Sequence, residues 1–453
     1  MWWPLGQLAQ WGKQTWFADE QTKRVKALRI PYRFDCFSPQ GHGAVSVEPA
    51  ALAQTVKEAP TVVLGDLHGS VQKLVETLLA ADFIEAPPEA FKQFRKAHEA
   101  LVNVIFNQEG NRRLSAQQRE LSRYCFEGNR KTQLFEAYQK VLAAMSAFEW
   151  KGKDRQLVLA GDVVNDRGAL DLLTIALIRQ LTESDRFADR IVTVVGNHDH
   201  DLFVNQMSLG SFSQIPTLSH RASFLRSRSL DPFVNQESQQ AAFRWYLSRS
   251  RLLWYEPKTQ TLVTHAPASP EEFRLLQNLL VHKGRCLPGP LASPEQLQTL
   301  ADEANAFYCQ YMETSFDRLR TFMQEQAVKT GHEDTPVEGV LIFDTVERDE
   351  RAEPILGRFL DAHCDLKHSY ELPFCGQAVA TYVHGHTDSS KASRYEARYV
   401  PGVDDTWVGL DQPEGNYTVV NLNQRNRKRL VSNQHETSSL FVIPAPTTAG
   451  EEG

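Results

Sequence analysis

The chain has 453 residues, 42% of them hydrophobic and 23% charged, so it can bury a sizeable core and is not globally disordered. Forty-nine basic residues against 56 acidic ones leave a net charge of −7. That excludes a surface given over entirely to nucleic acid, and no nucleic-acid partner is expected.

The six cysteines, Cys36, Cys125, Cys286, Cys309, Cys364 and Cys375, are scattered and form no CxxC pair. This usage predicts a cytoplasmic or otherwise reducing compartment rather than a disulfide framework or a structural zinc site. The stretch from His363-Cys364 to His368 reads as a loop or helix end. No segment reaches the ~18 apolar residues of a membrane span, so no transmembrane segment is expected. The N-terminus has neither a basic leader nor a continuous apolar run, so no secretory signal is expected. Trp2, Trp3, Trp11 and Trp16 instead suggest a segment strapped over the core, with interfacial membrane contact as the alternative.

In chain order, the first short apolar run is Thr61–Leu64, which ends at Gly65-Asp66. A long helical stretch follows over 87–150. Phe91, Phe94, Leu101 and Ile105 recur on a helical period, and Leu134, Tyr138, Val141, Met145 and Phe148 form a heptad seam. Ser115 and Gln118 fit a capping box between them. The stretch reads as an inserted α-helical hairpin or small bundle. Gln156–Ala160 then ends at Gly161-Asp162, and Ile191–Val195 at Gly196-Asn197. Thr261–Thr264 runs into His265, and Ala378–Val383 into His384. These runs, rich in Val and Leu and bounded by turn formers, read as buried strands.

A second helical block covers 270–330, broken at Leu287-Pro288-Gly289-Pro290 and restarted at Ser293-Pro294. A further strand is expected over Tyr417–Leu422. The cluster Arg425, Arg427, Lys428 and Arg429 reads as a solvated hairpin tip, with a phosphate or nuclear-import patch as the alternative. The expected organisation is a core beginning in 1–86, a helical insertion at 87–150, the rest of the core over 151–435, and a flexible tail at 436–453.

Asp66, His68, Asp162, Asn197, His198, His265, His384 and His386 thus lie at five successive strand ends, where open α/β folds keep their sites. Carboxylates, an amide oxygen and imidazoles are hard and borderline donors suited to Mn, Fe, Zn or Mg. They exceed what one closed zinc site needs and suffice for two ions sharing a carboxylate.

Gly65-Asp66-Leu67-His68-Gly69, then Gly161-Asp162 through Asp166-Arg167-Gly168, then Gly196-Asn197-His198-Asp199 resemble the three ordered signatures of calcineurin-like metallophosphoesterases of the phosphoprotein phosphatase (PPP) type. His265 and Gly385-His386-Thr387 match the family's two later histidine motifs. The resemblance covers about half the chain. It implies a mixed α/β two-sheet sandwich flanked by helices, with the helical hairpin inserted.

The resemblance also implies two divalent metal ions, Mn foremost with Fe, Zn or Mg as alternatives. Asp66, His68 and Asp162 would hold one, and Asp162, Asn197, His265 and His386 the other, with a hydroxide between them as nucleophile. His198 would protonate the leaving group, oriented by Asp166. Arg167 would bind the phosphoryl oxygens, with Asn197 and His384 also placed against substrate, and Arg285 is the candidate for a second phosphate arginine. The second motif carries one extra residue before Asp166, and Asp388 stands where many members have another histidine. His200 is expected as a bystander or as a support behind the ligands.

The implied activity is phosphomonoester hydrolysis on a phosphoprotein, at phosphotyrosine or phosphoserine/threonine. A hydrolase of dinucleoside tetraphosphates or other nucleotides is one alternative, and a non-catalytic scaffold another. A long helical insertion also resembles effector phosphatases that bacterial pathogens secrete into host cells. There it would dock a protein partner.

Overall fold

The computed structural model describes residues 33–37, 45–106, 128–164, 170–183, 190–200, 236–286, 289, 291, 293–330, 352–362, 378–386, 403–404, 418–422 and 437–443. These form a mixed α/β structure. In chain order the elements begin with β1 (Arg33–Phe37), β2 (Val45–Val47), α1 (Pro49–Thr55), β3 (Thr61–Leu64), α2 (Val71–Ala80) and β4 (Ile84–Glu85). Next come α3 (Pro88–Phe106), α4 (Gly128–Met145), β5 (Glu149–Trp150), β6 (Gln156–Ala160), α5 (Asp171–Thr182) and β7 (Ile191–Val194). They continue with α6 (Gln236–Leu247), β8 (Leu253–Glu256), β9 (Thr261–Thr264), α7 (Pro270–His282), α8 (Pro294–Thr330) and α9 (Ala352–Leu360). The last are β10 (Thr381–His384), β11 (Val403–Asp404), β12 (Thr418–Asn421) and β13 (Thr437–Ile443).

Two larger sheets organise the chain. One has six strands in the order β2-β1-β13-β3-β6-β7, the other five in the order β11-β12-β10-β9-β8. The strands β3, β6 and β7 run parallel, so their C-terminal ends open at one edge. The strands β9, β10 and β12 are parallel in the same way. All four residues of β3 are buried, because Val62 and Leu64 enter the main core while Val63 enters a second cluster. Burial on both faces explains why these strands read as continuous apolar runs without alternation. The second cluster joins Val63, Val158 and Val194 of the first sheet to Trp254, Val263 and Val383 of the other. One face of each sheet is therefore packed into a shared apolar layer.

The helices α3 and α4 pack together. Phe91, Phe94 and Leu101 turn inward from one, and Leu134, Tyr138, Val141 and Met145 from the other. Phe148 meets Phe94 edge-to-face at 5.6 Å. Helix α7 opens on a capping box in which Ser269 and Glu272 exchange hydrogen bonds, and α8 starts at Pro294, after the Pro/Gly break. From α8, Asn305 accepts the Leu253 amide at 3.3 Å and donates to its carbonyl at 2.9 Å. One side-chain amide thus takes the place of a partner strand at the edge of β8. No described helix is long and apolar enough to cross a membrane.

One expectation is corrected. Residues 436–453 were expected to form a flexible tail, but Thr437–Ile443 is a strand inside the six-stranded sheet. It runs parallel to β1 and antiparallel to β3. Leu440, Phe441 and Ile443 are buried there, so the short run Leu-Phe-Val-Ile outweighs the nearby Pro and Glu. The strands β1 and β2 were not expected. The Trp-rich segment, Ser115 and Gln118, the His363–His368 stretch and the Arg425–Arg429 cluster lie outside the described residues.

Candidate metal centre and active site

The parallel strands bring the polar groups together at their C-terminal ends. The loop after β3 lies against the loop after β6: the amides of Leu67 and His68 donate to the Asp162 carbonyl at 3.0 and 2.6 Å, and Gly69 donates to Val163 at 2.8 Å. From the other sheet, the Gly385 amide donates to the His265 carbonyl at 2.8 Å. His68, Asp162 and His386 all adopt left-handed backbone, with φ of 48°, 46° and 61°. Such conformations cost about 1–3 kcal/mol each outside glycine and persist where surrounding structure enforces them, often at functional sites. Two glycines make the convergence possible. Gly161 has φ of 90°, and a side chain there would run into the His265 ring; one at Gly196 would occupy the place of the Asp162 carboxylate.

Asp162 is central. It is 2% exposed, turns Oδ2 to His68 Nε2 at 3.8 Å, and turns Oδ1 to His265 Nε2 at 3.3 Å. Oδ1 also accepts the His198 amide at 3.0 Å. Asp66 Oδ2 lies 3.9 Å from His68 Nε2, and Asp66 Oδ1 accepts the His386 amide at 3.5 Å. The His265 Nδ1 proton is donated to the Ala160 carbonyl at 3.0 Å, which ties the two sheets together and aims Nε2 inward. Asn197 Oδ1 then stands 3.1 Å from both His265 Nε2 and His386 Nδ1.

Two groups of donors therefore share one carboxylate: Asp66, His68 and Asp162, and Asp162, His265 and His386. Within each group the ligand atoms all lie within 4.8 Å of one another. Burying two carboxylates beside three imidazoles is unfavourable unless positive charge neutralises them, and oxygen and imidazole donors aimed at common points suit divalent ions. The residues fit a pair of such ions. Burial would raise the Asp162 carboxyl, but His265, His198 and His68 outweigh it and hold the group well below the usual range. Burial lowers His265, yet the Asp162 carboxylate and its hydrogen bond carry the ring up to about 9.

His198 is half-buried, with its ring edge-on to His68 at 5.4 Å between centroids. His384 is 1% exposed, donates Nδ1 to the Gly385 carbonyl at 2.9 Å, and is pushed down to about 4 by burial. That placement supports the turn carrying His386 better than it supports substrate contact. Asp166, Arg167 and Asp388 lie outside the described residues. The Arg285 guanidinium is engaged by Glu303 and Gln310 of α8. His200 is buried beside the Tyr308 hydroxyl at 3.2 Å.

Three supporting groups were given no role in the sequence analysis, although Asp199 closes the third signature. Lys73 on α2 is buried and donates Nζ to the Asp66 carbonyl at 2.8 Å; burial, against the pull of Asp66, lowers it to about 8. Asp199 accepts the amides of Val164 and Gly196 at 2.9 and 2.8 Å, clamping two of the motif loops. Burial and the Asp162 charge raise it to about 7. Asp361, just after α9, reaches His386 Nε2 at 3.4 Å, on the ring edge opposite Asn197. A lysine among the apolar positions of α2 was the legible signal; Asp361 had none.

The family described as "WipA-like, phosphatase domain" matches residues 156–400, more than half of the chain. The chain belongs to this family. It therefore carries a phosphatase domain and is an enzyme of that class. The matched segment of the WipA-like phosphatase domain opens with β6. Asp162, Asn197, His198, His265, His384 and His386 lie within it, and Asp66 and His68 before it. No curated protein matches the chain. Among solved structures, the phosphatase domain of the Legionella effector WipB is 15% identical, with a TM-score of 0.46, over 72% of this chain and 98% of that one. A cold-active protein-tyrosine phosphatase from a psychrophilic Shewanella species is 14% identical, with a TM-score of 0.30, over 84% of this chain and 74% of that one.

Proposed function

We propose that the chain is a calcineurin-like metallophosphoesterase of the PPP type, a two-sheet sandwich holding two divalent ions, Mn foremost, that hydrolyses phosphomonoesters on proteins. The observation that carries this reading is Asp162 presenting one carboxylate oxygen to each of two donor groups. Asp66, His68 and Asp162 would hold one ion, and Asp162, Asn197, His265 and His386 the other. Bound there, the ions supply Lewis-acid charge for the phosphoryl oxygens and lower the pKa of water to give a nucleophile at neutral pH.

The protein's own groups do the rest. His265, fixed through Nδ1, keeps a single nitrogen directed inward, and Asn197 is held between two imidazoles. His198, whose amide is anchored on Asp162, is assigned the ring proton delivered to the leaving-group oxygen, on the sequence resemblance. Arg167 is assigned the equatorial phosphoryl oxygens, through a bidentate guanidinium, and Asp166 the orientation of His198, both on the sequence resemblance. We further read the protein as a bacterial effector acting in a host cell, with residues 87–150 docking a protein partner; the insertion between the first two motifs supports that reading.

The test pairs Mn with chelator. Purified protein is given phosphotyrosine, phosphoserine and phosphothreonine peptides, an aryl phosphate and a dinucleoside tetraphosphate. Metal-dependent turnover of phosphopeptides, abolished by chelation, is expected. Faster dinucleotide cleavage would move the assignment to nucleotides. No turnover, with no metal bound by elemental analysis, would overturn it in favour of a scaffold.

A further inference from the structure

A cavity of about 420 Å³ is lined by none of the donor residues of this centre. Ile191, Val192 and Thr193 of β7 line it, whereas Asn197 follows the other end of that strand. Arg251 lies beside β7, and α5, α6 and the turn after α6 complete the lining with Ile178, Thr182, Trp245 and Arg249.

The chemistry of this lining is specific. Among the described residues neither Arg249 nor Arg251 has a carboxylate partner. The acid on the cavity wall, Glu183, is already taken up by Arg179. Arg249 lies 5.4 Å from the Trp245 ring centroid and Arg179 lies 5.7 Å from it, so the indole sits among guanidinium groups. Arg251 is held in place by its backbone: its amide donates to Thr193 and its carbonyl accepts from Val195, both at 2.8 Å. The Arg249 guanidinium beside the indole, that of Arg251 in the same lining, and the aliphatic side chains of Ile178, Ile191 and Val192 suit a group that is flat and apolar at one end and doubly anionic at the other.

We propose that this cavity is a second binding site, for a phosphorylated aromatic side chain, phosphotyrosine in a peptide, separate from the catalytic centre. It stands on its own lining and does not depend on the metal reading. The probe is a peptide carrying a non-hydrolysable difluoromethylphosphonate analogue of phosphotyrosine, titrated into the full chain in chelator by calorimetry. Binding is expected in chelator, weakened at least tenfold by R249Q/R251Q and at least threefold by R249Q alone. Arg249 is exposed, so its substitution leaves the fold standing, and unfolding midpoints are recorded alongside. A phosphoserine peptide, inorganic phosphate and a nucleoside monophosphate form the other arms and should each bind at least tenfold more weakly. Absent binding, binding indifferent to both variants, or equal binding of phosphoserine peptide or nucleotide would overturn the proposal. Loss of metal-dependent turnover with this binding retained would count against the proposed function alone.

Discussion

Asp66, His68 and Asp162 hang from neighbouring parallel strands of one sheet, whereas His265 and His386 reach Asp162 from the other. The first group is locked by short-range backbone hydrogen bonds between adjacent loops. The second exists only where the two sheets meet, held by the His265–Ala160 hydrogen bond and by the apolar layer beneath it. The first should therefore tolerate loosening of the inter-sheet packing better than the second, and Asp162, common to both, should tolerate nothing.

The largest expected effect follows from that shared position. Asp162→Asn should lower kcat/KM by roughly 10³-fold or more and reduce bound metal at both sites, measured by turnover and elemental analysis. An active variant with full metal content would remove Asp162 from the centre of the scheme. Leu422→Ala separates the two groups. Leu422 is buried in the inter-sheet layer and its amide donates to the His384 carbonyl at 2.7 Å. Truncation should cost about 2–5 kcal/mol in denaturant unfolding. Metal titration of the folded variant should show one ion weakened far more than the other; equal weakening would mean that the sheets do not divide the site.

Asp361→Asn tests the second group from outside. A carboxylate on the far nitrogen of a metal-binding histidine sets its orientation, and its removal typically costs 10–100-fold in affinity or activity. Because Asp361 is more than half exposed, about tenfold in the affinity of one ion is expected, with the other unchanged.

The smallest effect is expected at a residue outside both groups. Glu272 caps α7, accepting the Ser269 amide at 2.8 Å and Arg358 Nε at 2.9 Å. Burial raises its pKa, but the Ser269 hydrogen bonds and Arg358 outweigh that and lower it below 4.5. Its contribution is therefore present above pH 4.5 and lost as the pH falls through the lowered value. Glu272→Gln should destabilise by about 1 kcal/mol at neutral pH, with turnover unchanged, and the gap from wild type should close on acidification.

Much of the centre was legible in the sequence. Each donor follows a short apolar run directly, and a strand end places its next few residues within a narrow space whatever else the chain does. The apolar seams of α3 and α4 were legible for the same reason, since helical period alone decides which residues share a face. Long-range pairing was less so. A seven-residue strand close to Pro444 and Pro446 looked like a tail because nothing local says that β1 and β3 leave a gap for it. The support from Asp361 was invisible because its neighbours in sequence give no hint of the ring it meets.

The sequence by itself determined which donor side chains stand at the strand ends and in what order, since donor type and strand-end position are covalent properties of short segments. Only the tertiary structure decided that Asp162 offers one oxygen to each group, that His384 is buried, and that Lys73, Asp199 and Asp361 brace the site. Those outcomes depend on the packing of two sheets whose contacts join residues hundreds of positions apart, and such packing follows from mutual burial rather than from any local preference.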